Sequence, residues 1–572
     1  MNNIPSISIE KIKFNNDFEL DLNDNDIVVF VGPNNVGKSR TLKEIKSNIM
    51  DTNSVNNVII KEIKYQEKNF SKDNLLNFFE KNYPKNDFNS YKVILDNSSS
   101  IDYNNYDFVN IEDTSLSNKN LYKPFFNYLS TENRLNITKE IDLSHIHNYR
   151  YNIKIYEKLN KDIIMNNKLN EILFNNFNKM IETYESNNGD FYVKGYKYGN
   201  KDDIEKAISI NKRDTCMILD NLEKLSDQGD GIRSAVGILS AFITSNNSIY
   251  LLDEPETFLH PPQARALGQN ISTLSNNKQV FISTHNIDLI KGLIENNSSR
   301  VKIIKIDRED NTNYFNLVDN DCLKQLANNR MLRHTNILNG LFYRKVVLCE
   351  DETDCKFYSI ILDTLDKNLS QNILFCALGG KDQFKIIANL LNKLHIDYII
   401  IADLDLINEQ KRLKELVNNL TSNNNLYKII EQYHIKFIEL YQKENNIQSK
   451  SLEDIQSKIN KIFSEYREYS SKQIFDRVKE ELKEINKFSL LKSDGKSSIP
   501  SGKCYENYEK IIRFLNKNNV FLVECGEIEN FIRNVDGHSS NWLEKVLVEY
   551  PDLSDSKYDD VKLFLKKIFN IN

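Results

Sequence analysis

One octapeptide restricts this chain more than any other stretch. Gly32-Pro33-Asn34-Asn35-Val36-Gly37-Lys38-Ser39 fits G-x-x-x-x-G-K-S and directly follows the apolar run Ile27-Val28-Val29-Phe30-Val31. A short apolar run bounded by a glycine-rich turn reads as a buried strand, and the pattern from Lys38 onward reads as a helix. A strand feeding a helix through such a turn requires an α/β fold. The glycines let backbone N–H groups approach phosphate, and the helix N-terminus adds partial positive charge. Lys38 then reaches the β- and γ-phosphates of ATP, the Ser39 hydroxyl ligates Mg²⁺, and Gly32, Asn34, Asn35 and Gly37 complete the expected cradle.

Three later segments supply what such a loop needs. Ile249-Tyr250-Leu251-Leu252 ends in Asp253-Glu254. This places Asp253 at the metal and Glu254 where it can polarise the attacking water. Gln279–Ser283 is another strand, followed by Thr284-His285, and a histidine there can sense the γ-phosphate. Upstream, Leu225-Ser226-Asp227-Gln228-Gly229-Asp230-Gly231 precedes an apolar helix. Small residues there form an anion cradle, or simply a helix cap. The segment resembles the signature motif of ABC ATPases, which implies that Ser226 and Gly229 meet nucleotide held by a second copy. Leu129-Ser130-Thr131-Glu132-Asn133-Arg134 stands where those ATPases carry a linking loop, but it has no glutamine.

A second constellation is built from carboxylates. Val346-Val347-Leu348-Cys349 leads into Glu350, with Asp354 four residues on; Tyr398–Ala402 leads into Asp403-Leu404-Asp405; Val520–Val523 leads into Glu524, Glu527 and Glu529. Acids at the ends of successive buried strands sit where open α/β sheets bind ligands. Brought together they repel, so they need divalent cations or must protonate. Oxygen-only ligands select Mg²⁺ or Mn²⁺, and two such ions suit phosphodiester hydrolysis.

The E-x-x-x-D spacing, the turn Gly379-Gly380-Lys381, the D-x-D at Asp403 and Asp405, and Gly526-Glu527-Ile528-Glu529 resemble the TOPRIM domain of OLD-family nucleases. An ABC head followed by this TOPRIM is that family's architecture, shared with the Gabija nuclease subunit and with OLD-like effectors beside some retrons. The resemblance implies that Glu350 and Asp354 hold one metal, and that Asp403, Asp405 and Glu529 serve the second; Glu527 competes with Glu529. It also implies a late catalytic lysine, for which Lys545 and Lys562 are both candidates, and leaves Lys381 as a phosphate contact or a turn residue. It further implies anti-phage defence, a homodimer or homotetramer, and a companion such as a retron reverse transcriptase with its branched DNA or a helicase subunit.

The expected fold is therefore α/β in two parts. An ABC-type head spans 1–340 with a helical or dimerisation insertion at about 60–215. A Rossmann-like TOPRIM domain spans 341–572 with a helical insertion at about 406–515, ending in a mobile basic loop from Lys492 to Lys503. A net charge of −6 argues against a general nucleic-acid coat, so any such contact is local or metal-assisted. Seven cysteines without a CxxC pair read as free thiols in a reducing cytosol, and no apolar run is long enough to span a membrane. The expected activity is ATP hydrolysis plus metal-dependent cleavage of nucleic acid, DNA first. The alternatives are an SMC- or RecF-like DNA-binding ATPase without nuclease activity, and a TOPRIM nuclease acting on RNA or tRNA. A topoisomerase would need a tyrosine-bearing domain, and nothing resembling one is present.

Overall fold

The computed structural model describes residues 4–50, 57–83, 85, 90–95, 100–108, 116–143, 150–187, 192–209, 219–310, 312–319, 322, 336–421, 425–444, 452–465, 474–475, 478 and 489–571. The chain divides into two compact units, Met1–Thr335 and Asn336–Asn572.

The first unit is built on a six-stranded sheet in the order Thr312–Leu317, Val301–Glu309, Ile27–Val31, Gln279–Ser283, Ile249–Asp253, Phe126–Leu129. All neighbours are parallel except the first two, which form an antiparallel hairpin. The inner strands Ile27–Val31 and Gln279–Ser283 are buried along their whole length. That explains their unbroken apolar runs: both faces of a parallel sheet are covered. A second, antiparallel sheet pairs Ser6–Phe14 with Glu19–Asp21 and Ile60–Lys68. Gln279 is a buried polar residue at the start of its strand. Its amide accepts from the Ile9 N–H (2.8 Å) and donates to the Ile9 carbonyl (2.9 Å), pinning the second sheet to the first.

The stretch read as one insertion at 60–215 is divided between tasks. Ile60–Lys68 belongs to the antiparallel sheet, and Phe126–Leu129 is the edge strand of the central sheet. Only the later part forms a separate layer, with helices Arg150–Lys161 and Ile163–Phe177 and the hairpin Met180–Asn187/Tyr192–Gly199. Residues 188–191 and 210–218 of this stretch, with Cys216, lie outside the described residues.

The second unit holds a four-stranded parallel sheet in the order Ile373–Ala377, Lys345–Cys349, Tyr398–Asp403, Val520–Val523. The first strand in sequence lies between the second and third. The order therefore reverses beside it, and the strand ends there open into the crevice where such sheets bind ligands. Val347, Ile399 and Val523 from the sheet share a core with Phe357, Trp542 and Leu565 from helices Glu352–Leu365, Ser539–Glu549 and Asp559–Phe569. The described parts of the charged stretch at 406–515 are largely helical, with helices including Gln410–Asn419, Glu431–Glu444 and Lys503–Lys517.

The expected mobile loop from Lys492 to Lys503 is instead packed structure. Ser489–Ser493 is helical and Gly495–Ser498 is a 3₁₀ turn. The Lys496 N–H donates to the Glu524 carbonyl at 2.8 Å, and Asn530 Nδ2 donates to the Lys492 carbonyl at 2.7 Å. Gly526, at φ +113°, approaches so closely that a Cβ there would lie 2.1 Å from the Lys492 carbonyl oxygen. The polar composition that suggested disorder supplies partners for the acidic loop after Val523.

Among the described residues, no helix is long and apolar enough to cross a membrane. The described cysteines Cys322, Cys349, Cys355, Cys376, Cys504 and Cys525 are all free thiols.

Candidate functional site

The phosphate-binding octapeptide runs from the buried strand Ile27–Val31 into the helix Lys38–Met50. Gly32 has φ +144° and a Cβ there would meet the Ile306 carbonyl oxygen at 2.2 Å, so no other residue fits without moving the neighbouring strand. Gly37 and Asn35 also take positive φ, +99° and +63°. Lys38 is buried, and its Nζ donates to the carbonyls of Gly32 (2.8 Å) and Pro33 (2.7 Å). Burial pulls its pKa down to about 8, although the nearby Glu254 and Asp253 carboxylates oppose the shift. Ser39 Oγ donates to Asp253 Oδ1 at 2.7 Å. Asn34 lies on the exposed tip of the loop.

Asp253 and Ser283 are register partners at the ends of adjacent parallel strands. Glu254 follows with φ +46°, an uncommon conformation for glutamate, and its N–H donates to the Ser283 carbonyl at 3.0 Å. His285 Nε2 lies 3.8 Å from Glu254 Oε1. Burial, aided by the Lys38 charge, lowers the His285 pKa to about 4, so the ring is neutral near pH 7. Lys38, Ser39, Asp253, Glu254 and His285 thus gather at one end of the sheet. Ser226 Oγ donates to its neighbour Asp227 (3.2 Å), and a Cβ on Gly229 would meet nothing within 4 Å.

Two residues here escaped the sequence reading. Arg134 is fully buried and makes five hydrogen bonds: to the carbonyls of Leu129 (3.1 Å), Asp253 (2.7 Å) and Glu254 (3.0 Å), and to the hydroxyls of Thr131 (3.1 Å) and Ser234 (3.0 Å). It ties the Asp253-Glu254 turn to the edge strand and to helix Asp230–Thr244. Glu256 is buried and accepts from Thr284 Oγ1 (2.6 Å) and the His285 N–H (3.1 Å), and burial raises its pKa. An arginine five residues past a strand, in a short helix, gives little sign of this role.

In the second unit, Glu350, Asp403 and Asp405 each bring a carboxylate oxygen to within 4.8 Å of the others. The Asp403 N–H donates to Glu350 Oε1 at 3.1 Å. Burial raises the pKa of Glu350, opposed mainly by Lys381, and raises that of Asp403, reinforced by Glu350. Lys381 pairs with Asp405 and lies 3.7 Å from Glu350 Oε1. Lys492, from the packed helical insertion, lies 3.2 Å from Glu527 and 3.7 Å from Asp403. Burial alone would lower the Lys492 pKa, but Asp403 and Glu527 outweigh it and raise the value.

Asp354 stands outside that trio. Asp351 caps the helix Glu352–Leu365, and Asp354 accepts from the Asp351 N–H at 3.2 Å, closing a reciprocal box. Burial, then Asp351, Glu350 and Glu529, push its pKa up to about 7. Glu529 groups with Glu527 and His538, and it also accepts from the Ser539 N–H at 3.0 Å. Of the two late lysines, Lys545 donates to the Asp536 carbonyl (2.9 Å) and Lys562 lies 4.0 Å from Asp559. Lys381 and Lys492 are, among the described residues, the lysines that pair with Glu350, Asp403, Asp405 or Glu527.

The donor set fits divalent cations. It is all oxygen, it lies in the crevice, and two lysines leave Glu350 and Asp403 still reluctant to ionise. The head loop equally fits a triphosphate, since the glycine positions exclude side chains and Lys38 meets only backbone carbonyls.

A P-loop head with a strand-end Asp-Glu, joined to a parallel sheet carrying acids at its switch point, defines an ATPase–TOPRIM protein. Residues 27–291 match the family described as AAA domain, putative AbiEii toxin, Type IV TA system, and residues 341–405 match the overcoming lysogenization defect protein-like TOPRIM domain. The chain thus joins an AAA-type ATPase domain to an OLD-like TOPRIM domain. It is distantly homologous to Endonuclease GajA of Bacillus cereus (strain VD045), 24% identical over 277 residues, which is 48% of this chain and 45% of that protein. It is also 38% identical over 74 residues to the uncharacterized protein MJECL11 of Methanocaldococcus jannaschii, covering 12% of this chain and 63% of that protein. The chain therefore spans less than two thirds of either relative. Among solved structures, an SMC head bound to the C-winged helix domain of ScpA aligns over 54% of this chain and 97% of its own at 12% identity and TM-score 0.33. The SMC head domain from Thermotoga maritima aligns over 55% and 99% at 12% identity and TM-score 0.27.

Proposed function

We propose that this chain is a nucleotide-regulated nuclease. Its head, residues 1–340, binds and hydrolyses ATP; its C-terminal domain, residues 341–572, hydrolyses phosphodiester bonds in nucleic acid, DNA before RNA, with Mg²⁺ or Mn²⁺. The observation that carries the nuclease half is the meeting of Glu350, Asp403 and Asp405 within 4.8 Å at the switch point of a parallel sheet. Those three would hold the first metal, and Asp354 and Glu529 would hold or orient the second. Bound there, two divalent ions supply an activated water and charge neutralisation at the leaving oxygen. Lys381 and Lys492 compensate the carboxylates and stand beside any phosphate brought to them.

In the head, Lys38 exchanges its loop carbonyls for β- and γ-phosphate oxygens, and Ser39 with Asp253 holds the Mg²⁺ of ATP. Glu254 accepts the proton of the attacking water, with neutral His285 beside it. Ser226 and Gly229 belong to the site of a second copy, so the working form is a homodimer or a tetramer built from dimers. The family resemblance supports reading the setting as that of a defence effector in the cytoplasm, alongside a helicase subunit or a reverse transcriptase with its branched DNA.

The test is cleavage of supercoiled plasmid and of tRNA by purified protein, with Mg²⁺, Mn²⁺ or EDTA, with and without ATP. Plasmid is expected to be cut only with metal, and not by Glu350→Gln. A Glu350→Gln/Asp403→Asn protein that cuts as fast as wild type rejects the nuclease reading, and ATP hydrolysis with DNA binding but no cutting leaves an SMC-like ATPase. Preferential tRNA cleavage moves the substrate to RNA.

A further inference from the structure

The head holds a groove of about 860 Å³ apart from the phosphate loop, lined by Tyr83 and by Lys81, Lys92, Lys154 and Lys158 among others. A smaller adjoining cavity shares Tyr83, Lys154 and Lys158 and is bounded by Lys123–Phe126 and Thr244–Asn247. Those segments lead into the strands Phe126–Leu129 and Ile249–Asp253. The basic groove therefore borders the N-terminal ends of the parallel strands, whereas the phosphate loop follows a C-terminal end.

Among the described residues the groove carries an excess of positive charge, five lysines (Lys161 included) against three acids. Its acids are already engaged: Glu80 with Lys85 and Tyr91, Glu157 with Lys161, and Asp162 as the cap of helix Ile163–Phe177. Lys158 donates to the Thr244 carbonyl at 2.7 Å and pairs with no carboxylate among the described residues. Lys154 lies 4.2 Å from the Tyr83 ring centroid, and that is its one contact with an electron-rich group among the described residues. Burial, with Lys158 adding repulsion, drives the Lys154 pKa down to about 7. Packing amines together without counter-charge is costly unless an anion joins them. Ile163 and Ile164 also line the groove while 67% and 76% exposed, an apolar pair left uncovered among the described residues.

We infer that this groove is a second nucleotide-binding site, in which phosphates engage Lys154 and Lys158 and the base lies on Ile163 and Ile164. A mononucleotide combines the two features the groove offers, clustered positive charge and an uncovered apolar surface, in one small ligand. Lys158 holds the last residue of helix Asp230–Thr244, whose first turn follows Ser226 and Gly229. Occupancy therefore bears on the far end of the helix that carries the signature segment.

The site does not depend on the head being an active ATPase, and calorimetry with ADP and with inorganic pyrophosphate tests it on the full chain. Wild type is expected to bind two ADP per chain and Lys38→Ala one. In the Lys38→Ala background, Lys154→Met/Lys158→Met is expected to weaken ADP and pyrophosphate at least about tenfold, one unit of the pKa scale in free energy. Ile164→Ser is expected to weaken ADP and leave pyrophosphate unchanged. Failure of the Lys38→Ala chain to bind ADP, or binding indifferent to Lys154→Met alone, overturns the site. So does Lys154-dependent capture of a single-stranded oligonucleotide by a chain that binds neither small probe. Unchanged melting of each variant establishes that lost binding is not lost fold.

Discussion

The backbone N–H of Asp403 donates to the Glu350 carboxylate at 3.1 Å, clasping the ends of two neighbouring strands around a pair of acids. The clasp holds two like charges together and leaves both pKa values raised by burial. Glu350→Gln and Asp403→Asn are therefore expected to reduce metal-dependent plasmid cleavage by about a hundredfold or more, because each removes a ligand oxygen's charge. ATP hydrolysis is expected to be unaffected. Thermal melting in EDTA is expected to hold or rise, since the amides relieve repulsion; a fall in melting temperature would mean the carboxylates are structural.

Asp354 makes metal-free stability depend on pH. An unfolded aspartate titrates at about 3.9, whereas burial and its acidic neighbours push Asp354 up to about 7. Between those values the folded chain holds a proton that the unfolded chain has lost. Stability in EDTA is thus greatest below the window, falls as pH rises through it, and levels off above it. Denaturant titrations across the window should show this slope, and Asp354→Asn, whose amide oxygen can still accept from the Asp351 N–H, should flatten it.

Lys38→Ala is expected to abolish ATP hydrolysis, and Glu254→Gln to slow it about a hundredfold while retaining ATP binding, since the first removes the phosphate contact and the second only the base. Steady-state phosphate release with a parallel nucleotide-binding measurement separates the two. His285 is already neutral above about pH 4, so no limb of the rate profile near the usual histidine value should vanish in His285→Asn.

Much of this was legible because chemistry and folding impose the same local pattern. Gly32 to Ser39 advertises both a phosphate cradle and a strand-to-helix turn, and the acids after Cys349 and Ala402 stand where buried strands must end. What stayed hidden depends on contacts remote in sequence. Arg134 meets Asp253, 119 positions away. Lys492 sits in a polar, glycine-bearing segment whose composition also suits a loose linker, and what packs it in place is the approach of Gly526 and Asn530 to its carbonyl from a remote part of the chain. The split of 60–215 was obscured likewise, because Ile60–Lys68 alternates weakly and pairs with the N-terminal strand rather than with a sequence neighbour.

Arg134 is expected to be worth more to the head than any single ligand contact. Truncation to alanine leaves the carbonyls of Leu129, Asp253 and Glu254 and the hydroxyls of Thr131 and Ser234 without their shared donor. Buried acceptors stripped of a charged partner cost on the order of 3 kcal/mol or more. Denaturant melts of Arg134→Ala should show that loss, whereas Arg134→Lys, one cation without the fork, should recover only part of it.

Lys492 competes with metal for the acids it touches. Its amine lies 3.2 Å from Glu527 and 3.7 Å from Asp403, and each is a carboxylate that a divalent ion would also draw in. Removing the amine leaves those charges less compensated, so Lys492→Met is expected to lower the melting temperature in EDTA and to tighten Mg²⁺ binding by about tenfold. Cleavage should nonetheless slow, because the variant lacks the cation proposed to stand beside the scissile phosphate. Melting temperature followed across a Mg²⁺ titration, beside a plasmid assay at saturating metal, reads both effects. Weaker Mg²⁺ binding in the variant would show that Lys492 organises the carboxylates for the ion rather than standing in its place.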